Sequence, residues 1–193
     1  MKENIERDLQ PFIFSRMESP IGPLLLVGKA QQGIDILSQI VLPKEGIAAD
    51  PQPEWVHHPG CYAEAARQLD EYFAAGRRVF DLPLAPAGTA FQHKVWAVLQ
   101  QIGYGRVQTY GNIAMRLGKP RSARAIGQAN GANPIPIIIP CHRVIAASRQ
   151  LGGYSGGLEI KRRLLAVEGI KVNENGILPL GKADYGLNHK IRI

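Results

Sequence analysis

Thr109-Tyr110-Gly111-Asn112-Ile113-Ala114-Met115-Arg116-Leu117-Gly118-Lys119-Pro120-Arg121-Ser122-Ala123-Arg124-Ala125-Ile126-Gly127-Gln128-Ala129 reads as two short helices joined by a tight turn. Thr109 can cap the first helix, whose apolar residues are Ile113, Ala114 and Leu117. Gly118-Lys119-Pro120 breaks it. A second helix is expected from about Arg121 to Ala129. Ser122, Ile126 and Ala129 can face inward there, while Arg121, Arg124 and Gln128, at steps of three and four, share the opposite face. This spacing is that of a helix-turn-helix. The outer face fits either a solvated surface or a strip that meets DNA.

Upstream, Thr89 can cap a helix with Phe91, Val95, Val98, Leu99 and Ile102 on its apolar face, ended by Gly103 and Gly105. Pro83-Leu84-Ala85-Pro86-Ala87-Gly88 is the linker candidate. Before it, Phe12–Glu18, Leu24–Lys29 and Ile34–Leu42 are β-rich runs between Pro and Gly turns, and predict a small antiparallel sheet. Residues 43–60 read as loop. Tyr62 to Ala75 reads as a helix with Tyr62, Ala66, Leu69, Tyr72 and Phe73 on one face and Gly76 as its stop. A further strand is expected at Arg78–Leu82. The fold class is therefore α/β in the α+β sense. A small N-terminal sheet domain with a helix (1–87, linker 83–88) precedes a helical, winged-helix-like C-terminal domain carrying the helix-turn-helix (88–170). An extension of unassigned role (171–193) follows.

The chain has 193 residues, enough for a substantial core. Its 45% hydrophobic and 20% charged content is that of an ordinary globular protein. The net charge of +7 favours an anionic partner, nucleic acid above all. MKENIERDLQ has no signal-peptide core, and no apolar run reaches membrane-span length, which predicts a cytoplasmic protein without a membrane partner. Two cysteines, Cys61 and Cys141, are too few for a disulfide framework. His57, His58 and Cys61 do not have the spacing of a closed zinc site, so no metal is expected.

Chemistry concentrates in Asn133-Pro134-Ile135-Pro136-Ile137-Ile138-Ile139-Pro140-Cys141-His142-Arg143-Val144. Ile137–Ile139 reads as a short buried strand ended by Pro140, which fixes Cys141 where strand gives way to loop. A lone cysteine is usually a small buried hydrophobe. One flanked by His and Arg fits a thiol whose ionisation is being assisted.

Pro140-Cys141-His142-Arg143-Val144, preceded by Asn133-Pro134, resembles the active-site motif of the O6-alkylguanine-DNA alkyltransferases. Gly88-Thr89-Ala90-Phe91-Gln92 with Val95-Trp96, Thr109-Tyr110-Gly111, Ala123-Arg124-Ala125-Ile126-Gly127, Gly153-Tyr154-Ser155-Gly156-Gly157 and Lys161 through Glu168-Gly169 fall in family order. The resemblance is dense over 88–169 and looser over 12–82.

The resemblance implies a single-turnover methyltransferase that takes the alkyl group from O6-alkylguanine onto Cys141 and needs no cofactor. His142 would be the water-linked base, Glu168 its orienting carboxylate and Asn133 a brace. Tyr110 would rotate the nucleotide and donate a proton to the leaving guanine. Tyr154, Ser155 and Gly156 would line the pocket, with the Cys141 and Val144 carbonyls accepting from the guanine amine. Arg124 would fill the gap in the base stack, with Ala123, Arg121, Gln128 and Thr109 at the DNA. The implied partner is double-stranded DNA approached from the minor groove by a monomer. O4-alkylthymine use and alkyl size stay open. Lys161, Arg162 and Arg163 read as a solvated helix face. Two other classes compete. One is a DNA-binding sensor without transfer, which retention of Cys141 argues against. The other is a Cys–His–Glu hydrolase, for which nothing specifies an oxyanion hole.

Overall fold

The computed structural model describes residues 11–178. Three strands, β1 (Ile13–Met17), β2 (Leu24–Gln31) and β3 (Ile34–Val41), pair antiparallel. The two-residue β4 (Val56–His57), inside the stretch expected to be loop, joins β1 in parallel and gives the order β3-β2-β1-β4. The sheet is covered on both faces, and β2 shows why. Leu24 and Leu26 point into the main core, whereas Leu25 and Val27 join a smaller cluster with Phe14, Val41, Ala49 and Trp55. The two-residue period of a strand sends alternate side chains to opposite faces. A bulge falls at Val27/Gly28, and a Cβ on Gly28 would lie 2.0 Å from the Ile36 carbonyl oxygen, so only glycine fits.

Helix α1 (Ala63–Phe73) packs Ala65, Leu69 and Tyr72 against this sheet. It ends differently from expectation. Ala75, not Gly76, takes the left-handed conformation (φ 58), and Gly76 N–H donates to the Glu71 carbonyl at 2.9 Å. The strand expected at Arg78–Leu82 is absent. The chain passes through it irregularly and meets the sheet one step later, where Leu84 bridges Leu37. Leu37 N–H donates to Pro83 at 3.0 Å, and Ala85 N–H donates back to Leu37 at 2.8 Å. The contact with β3 is this single bridge and does not extend into a ladder.

Helix α2 (Ala90–Gln100) begins with a full capping box: Thr89 accepts from Gln92 N–H and the Gln92 side chain accepts from Thr89 N–H. The short strand β5 (Gln108–Thr109) leads into α3 (Tyr110–Arg116), capped by Thr109, and then into α4 (Ala123–Gly131). A 3-10 turn (Cys141–Arg143), β6 (Val144–Ile145) and α5 (Leu158–Val167) complete the chain of elements. β6 pairs with β5 in parallel. Two short helices joined by a turn are present, with the second running Ala123–Gly131 rather than from about Arg121 to Ala129.

The main core is continuous through both halves. Leu24, Leu37, Leu69 and Tyr72 meet Trp96, Leu99, Ile126, Ile139 and Leu164 in one cluster. Each such side chain contributes about 1.5–3 kcal/mol by leaving water. A second cluster joins Ile170 and Leu178 to Val107, Ile145, Leu151 and Leu165. The start of the extension is thus part of the fold. Leu151 N–H donates to Gly176, and Leu178 N–H to Arg149, so residues 171–178 brace the 146–151 hairpin. Lys182, Lys190 and Arg192 lie outside the described residues.

Candidate active site

Residues 133–140 do not form the expected strand. They make a tight turn in which Pro136 bridges Ile139 and Ile137 takes φ 75. The expectation of burial holds, with Ile137 fully buried and Ile139 nearly so. Three prolines in this stretch remove the N–H donors a ladder needs, and Asn133 supplies the missing order. Its Nδ2 donates to the Ile139 carbonyl at 2.7 Å, and its Oδ1 accepts from Ile135 N–H at 3.0 Å. Two hydrogen bonds from Asn133 thus span the turn that delivers Cys141.

Cys141 opens the 3-10 turn and is 1% exposed. Burial pushes its thiol up, while the Asn133 and Tyr154 side chains and the Lys161 charge pull it down. The Tyr154 hydroxyl is buried and makes no ordinary hydrogen bond, yet it lies close enough to act on this thiol.

His142 is fully buried, and its Nε2 lies 2.7 Å from Glu168 Oε1. Glu168 also accepts from Arg143 Nε and Nη2, from Tyr72 Oη at 2.9 Å and from Gly105 N–H at 3.0 Å. Burial pushes this carboxyl up, but His142 and Arg143 outweigh it and hold it at about 2. It is therefore an anion, and the imidazole nitrogen facing it carries the proton. That assigns His142 the Nε2–H tautomer and leaves Nδ1 with its lone pair free. Nδ1 is buried and has no hydrogen-bond partner among the described residues. Burial lowers the His142 pKa, with Glu168 opposing, so the ring rests neutral at physiological pH. The imidazole is thus neutral, anchored at one nitrogen and unengaged at the other, and next in sequence to a thiol, an arrangement chemically capable of accepting a proton.

Tyr110 is the first residue of α3 and is half-buried. Burial and the neighbouring Cys141 both raise its pKa, so its hydroxyl remains a proton donor. It rests against Gly152, where φ is +67 and a Cβ would sit 3.3 Å from Tyr110 Oη. The loop beyond Gly152 carries Tyr154, Ser155 and Gly156. Gly156 leans on Leu42, whose Cδ1 would lie 2.5 Å from a Cβ there. The N-terminal half therefore props the loop that faces the thiol.

Lys161 overturns its expectation. It is fully buried rather than solvated, and its ammonium donates to the Val144 and Leu151 carbonyls. Burial lowers it to about 8. The Val144 carbonyl, implied to read guanine, thus already accepts from Lys161. The Cys141 carbonyl accepts from Asn130 Nδ2 at 3.4 Å. Arg162 donates to Val172 and Asn173, and Arg163 pairs with Glu159 at 3.0 Å on the surface.

Ala123, Arg124 and Gln128 are exposed on the side of α4 away from the core, and Arg121, expected on that helix, is exposed in the turn before it. Thr109 uses its hydroxyl to cap α3, accepting from Asn112 N–H at 3.1 Å. The surrounding sequence holds a signal that a reading by helix faces passes over. From Leu82 to Leu158 there is no Asp or Glu, while Lys94, Arg106, Arg116, Lys119, Arg121, Arg124, Arg143 and Arg149 are all cationic. Such single-sign bias is the electrostatic footprint of a polyanion partner.

Three participants escape a sequence reading. Arg143 is spent on Glu168 and on the Ile102 carbonyl, not on the thiol. Tyr72 reaches Glu168 from α1, and Lys161 clamps the hairpin from α5. Nothing local marks the last two. Among the described residues no three His, Cys, Asp or Glu side chains cluster, and no helix is long and apolar enough to cross a membrane.

Comparison with known proteins agrees with this geometry. Residues 90–170 match the family described as 6-O-methylguanine DNA methyltransferase, DNA binding domain. A methylated-DNA–protein-cysteine methyltransferase of Methanosarcina acetivorans is 46% identical over 81% of this chain and 97% of its own length. The Mycobacterium bovis protein of the same name is 44% identical, over 80% of this chain and 91% of that one. Among solved structures, Mycobacterium tuberculosis O6-methylguanine methyltransferase superposes with a TM-score of 0.73 at 43% identity, covering 81% of this chain and 92% of that one. A structure of the M. tuberculosis protein in complex with DNA gives 0.72 at 44% identity, with the same coverage. With the buried Cys141-His142 turn, the anchored imidazole and these relatives together, the chain belongs to the methylated-DNA–protein-cysteine methyltransferase family.

Proposed function

We propose that this protein repairs alkylated DNA directly, moving the alkyl group from guanine O6 onto Sγ of Cys141 once per molecule. One observation carries the mechanism: His142 is neutral, fixed through Nε2–H to the Glu168 anion, and holds a buried, unengaged Nδ1 beside the thiol's own turn. The thiol proton passes to Nδ1, through a bridging water, and Glu168 stabilises the imidazolium that results. The thiolate attacks the alkyl carbon in line. The S–C bond forms, the C–O6 bond breaks, and its electron pair leaves with guanine. Tyr110, neutral and adjacent, supplies the proton that the departing base takes up. The thioether is inert, which ends the reaction after one turnover.

The target carbon is out of reach within a stacked duplex, so the nucleotide is flipped, at a cost of a few kcal/mol. Arg124, on the exposed side of α4, fills the vacated space from the minor groove, while Arg121, Gln128 and the backbone at Ala123 and Thr109 hold the flanking phosphates. Tyr154, Ser155 and Gly156 line the pocket, and the Cys141 and Val144 carbonyls accept from the guanine amine. The protein acts as a monomer.

The test is methyl uptake. After incubation with DNA holding O6-methylguanine, mass spectrometry should find one added methyl on the Cys141 peptide. Cys141→Ala should bind the same DNA and gain nothing. Unmodified wild-type protein, or ester turnover with no lasting adduct, would reject the assignment.

A further inference from the structure

The relay carboxylate is not held by the C-terminal half alone. Glu168 follows α5, and its partners His142, Arg143 and Gly105 all lie beyond the linker. Tyr72 does not. It sits in the last turn of α1, separated from Glu168 by 96 residues, and its hydroxyl donates to Oε1 at 2.9 Å. That is the same oxygen that takes His142 Nε2–H at 2.7 Å, and Tyr72 Oη stands 3.5 Å from Nε2 itself.

The phenol cannot turn away. Its ring is fully buried among Phe73, Phe80 and Tyr104, with centroids 5.4, 5.6 and 6.1 Å away. Burial first, and then the Glu168 charge, raise its pKa well above the ordinary range, so it stays a donor throughout. A donor locked by an aromatic cage fixes its acceptor as firmly as it is fixed itself.

We infer that Tyr72 is a positioning residue of the alkyl-transfer site, supplied by the N-terminal half, which orients Glu168 and through it the His142 imidazole. The consequence is twofold. An O–H donated to Oε1 fixes the oxygen that anchors Nε2, and with it the orientation of the imidazole. It also draws charge from the oxygen facing Nε2, which makes His142 a weaker base than Glu168 alone would. The other charged groups acting on His142 are Arg143 and Lys161, both cationic. Of the groups around His142, only Tyr72 is a neutral donor shared with its anchor oxygen.

This inference rests on the relay reading of the proposed function, and the test separates the two. In full-length Tyr72→Phe the ring and its cage remain and only the hydroxyl goes. Its transfer rate from O6-methylguanine duplex, on the pH plateau, should fall by roughly tenfold, the scale of a lost charge-assisted hydrogen bond. The imidazole titration of His142, followed by nitrogen NMR, should move to higher pH. Tyr72→Leu should lose activity to the same degree and lose stability as well. If Tyr72→Phe matches wild type in both plateau rate and His142 titration, Tyr72 is packing alone and the inference is overturned. If Glu168→Gln also transfers at the wild-type rate, the relay itself fails and takes the inference with it. Loss in Glu168→Gln with none in Tyr72→Phe overturns only the role of Tyr72.

Discussion

Glu168→Gln tests whether one buried carboxylate holds the site and part of the fold together. Glutamine keeps the shape and removes the charge. The native carboxylate takes bonds from His142, Tyr72, Gly105 and both Nε and Nη2 of Arg143, whose residue is 5% exposed. With glutamine, Arg143 becomes a buried cation without its anion, and an amide N–H₂ faces at least one donor. Breaking such a pair costs about 3–5 kcal/mol.

The pH dependence gives an independent figure. Burial alone would raise Glu168, yet His142 and Arg143 hold it at about 2, against an ordinary 4.5. A carboxyl lowered on folding contributes stability above its unfolded pKa and loses it as pH falls toward the folded value. The shift corresponds to about 3 kcal/mol, complete above roughly pH 5 and gone near pH 2. Urea unfolding of both proteins from about pH 7 to about pH 3 measures both effects. The variant should be several kcal/mol less stable at neutral pH and should lack this part of the acid slope. A loss below about 1 kcal/mol, the size of a surface pair, or superimposable acid slopes, would refute the reasoning.

Two further outcomes follow from the site. Arg124→Ala should slow transfer from duplex DNA by about tenfold or more, because flipping loses its plug, and leave transfer from a single strand nearly unchanged; stopped-flow rates on the two substrates decide it, and equal rates on duplex speak against the role. Lys161→Met removes the cation near Cys141 and the donor to Val144 and Leu151. The thiol should then ionise at higher pH, so the transfer-rate profile should move upward, and stability should drop by about 1–3 kcal/mol for the orphaned carbonyls; a profile unmoved beside a lower melting temperature would leave Lys161 a structural clamp only.

Much of this protein is written locally. Thr89 and Thr109 announce their helices because a hydroxyl satisfies N–H groups a few residues away. The three long strands follow from β-rich runs between turns, and the outward placing of Arg124 and Gln128 from helical spacing alone, whereas Arg121 falls in the turn before the helix. Cys141, His142 and Glu168 were legible through the run of motifs around them.

What only the tertiary structure decided is where long-range partners override local propensity. Arg78–Leu82 has the composition of a strand, yet the chain meets β3 only at Leu84, in a single bridge to Leu37. Ile137–Ile139 has β-branched residues, yet prolines on both sides and Asn133 fold it into a turn. Lys161 looks solvated because its sequence neighbours are Arg162 and Arg163, but α5 turns it toward two carbonyls that local sequence cannot foresee. Tyr72 reads as one more apolar residue of α1 until the core places its hydroxyl on a carboxylate 96 residues away. A hydrogen bond between distant segments leaves no periodic trace, because its geometry exists only once the chain has closed.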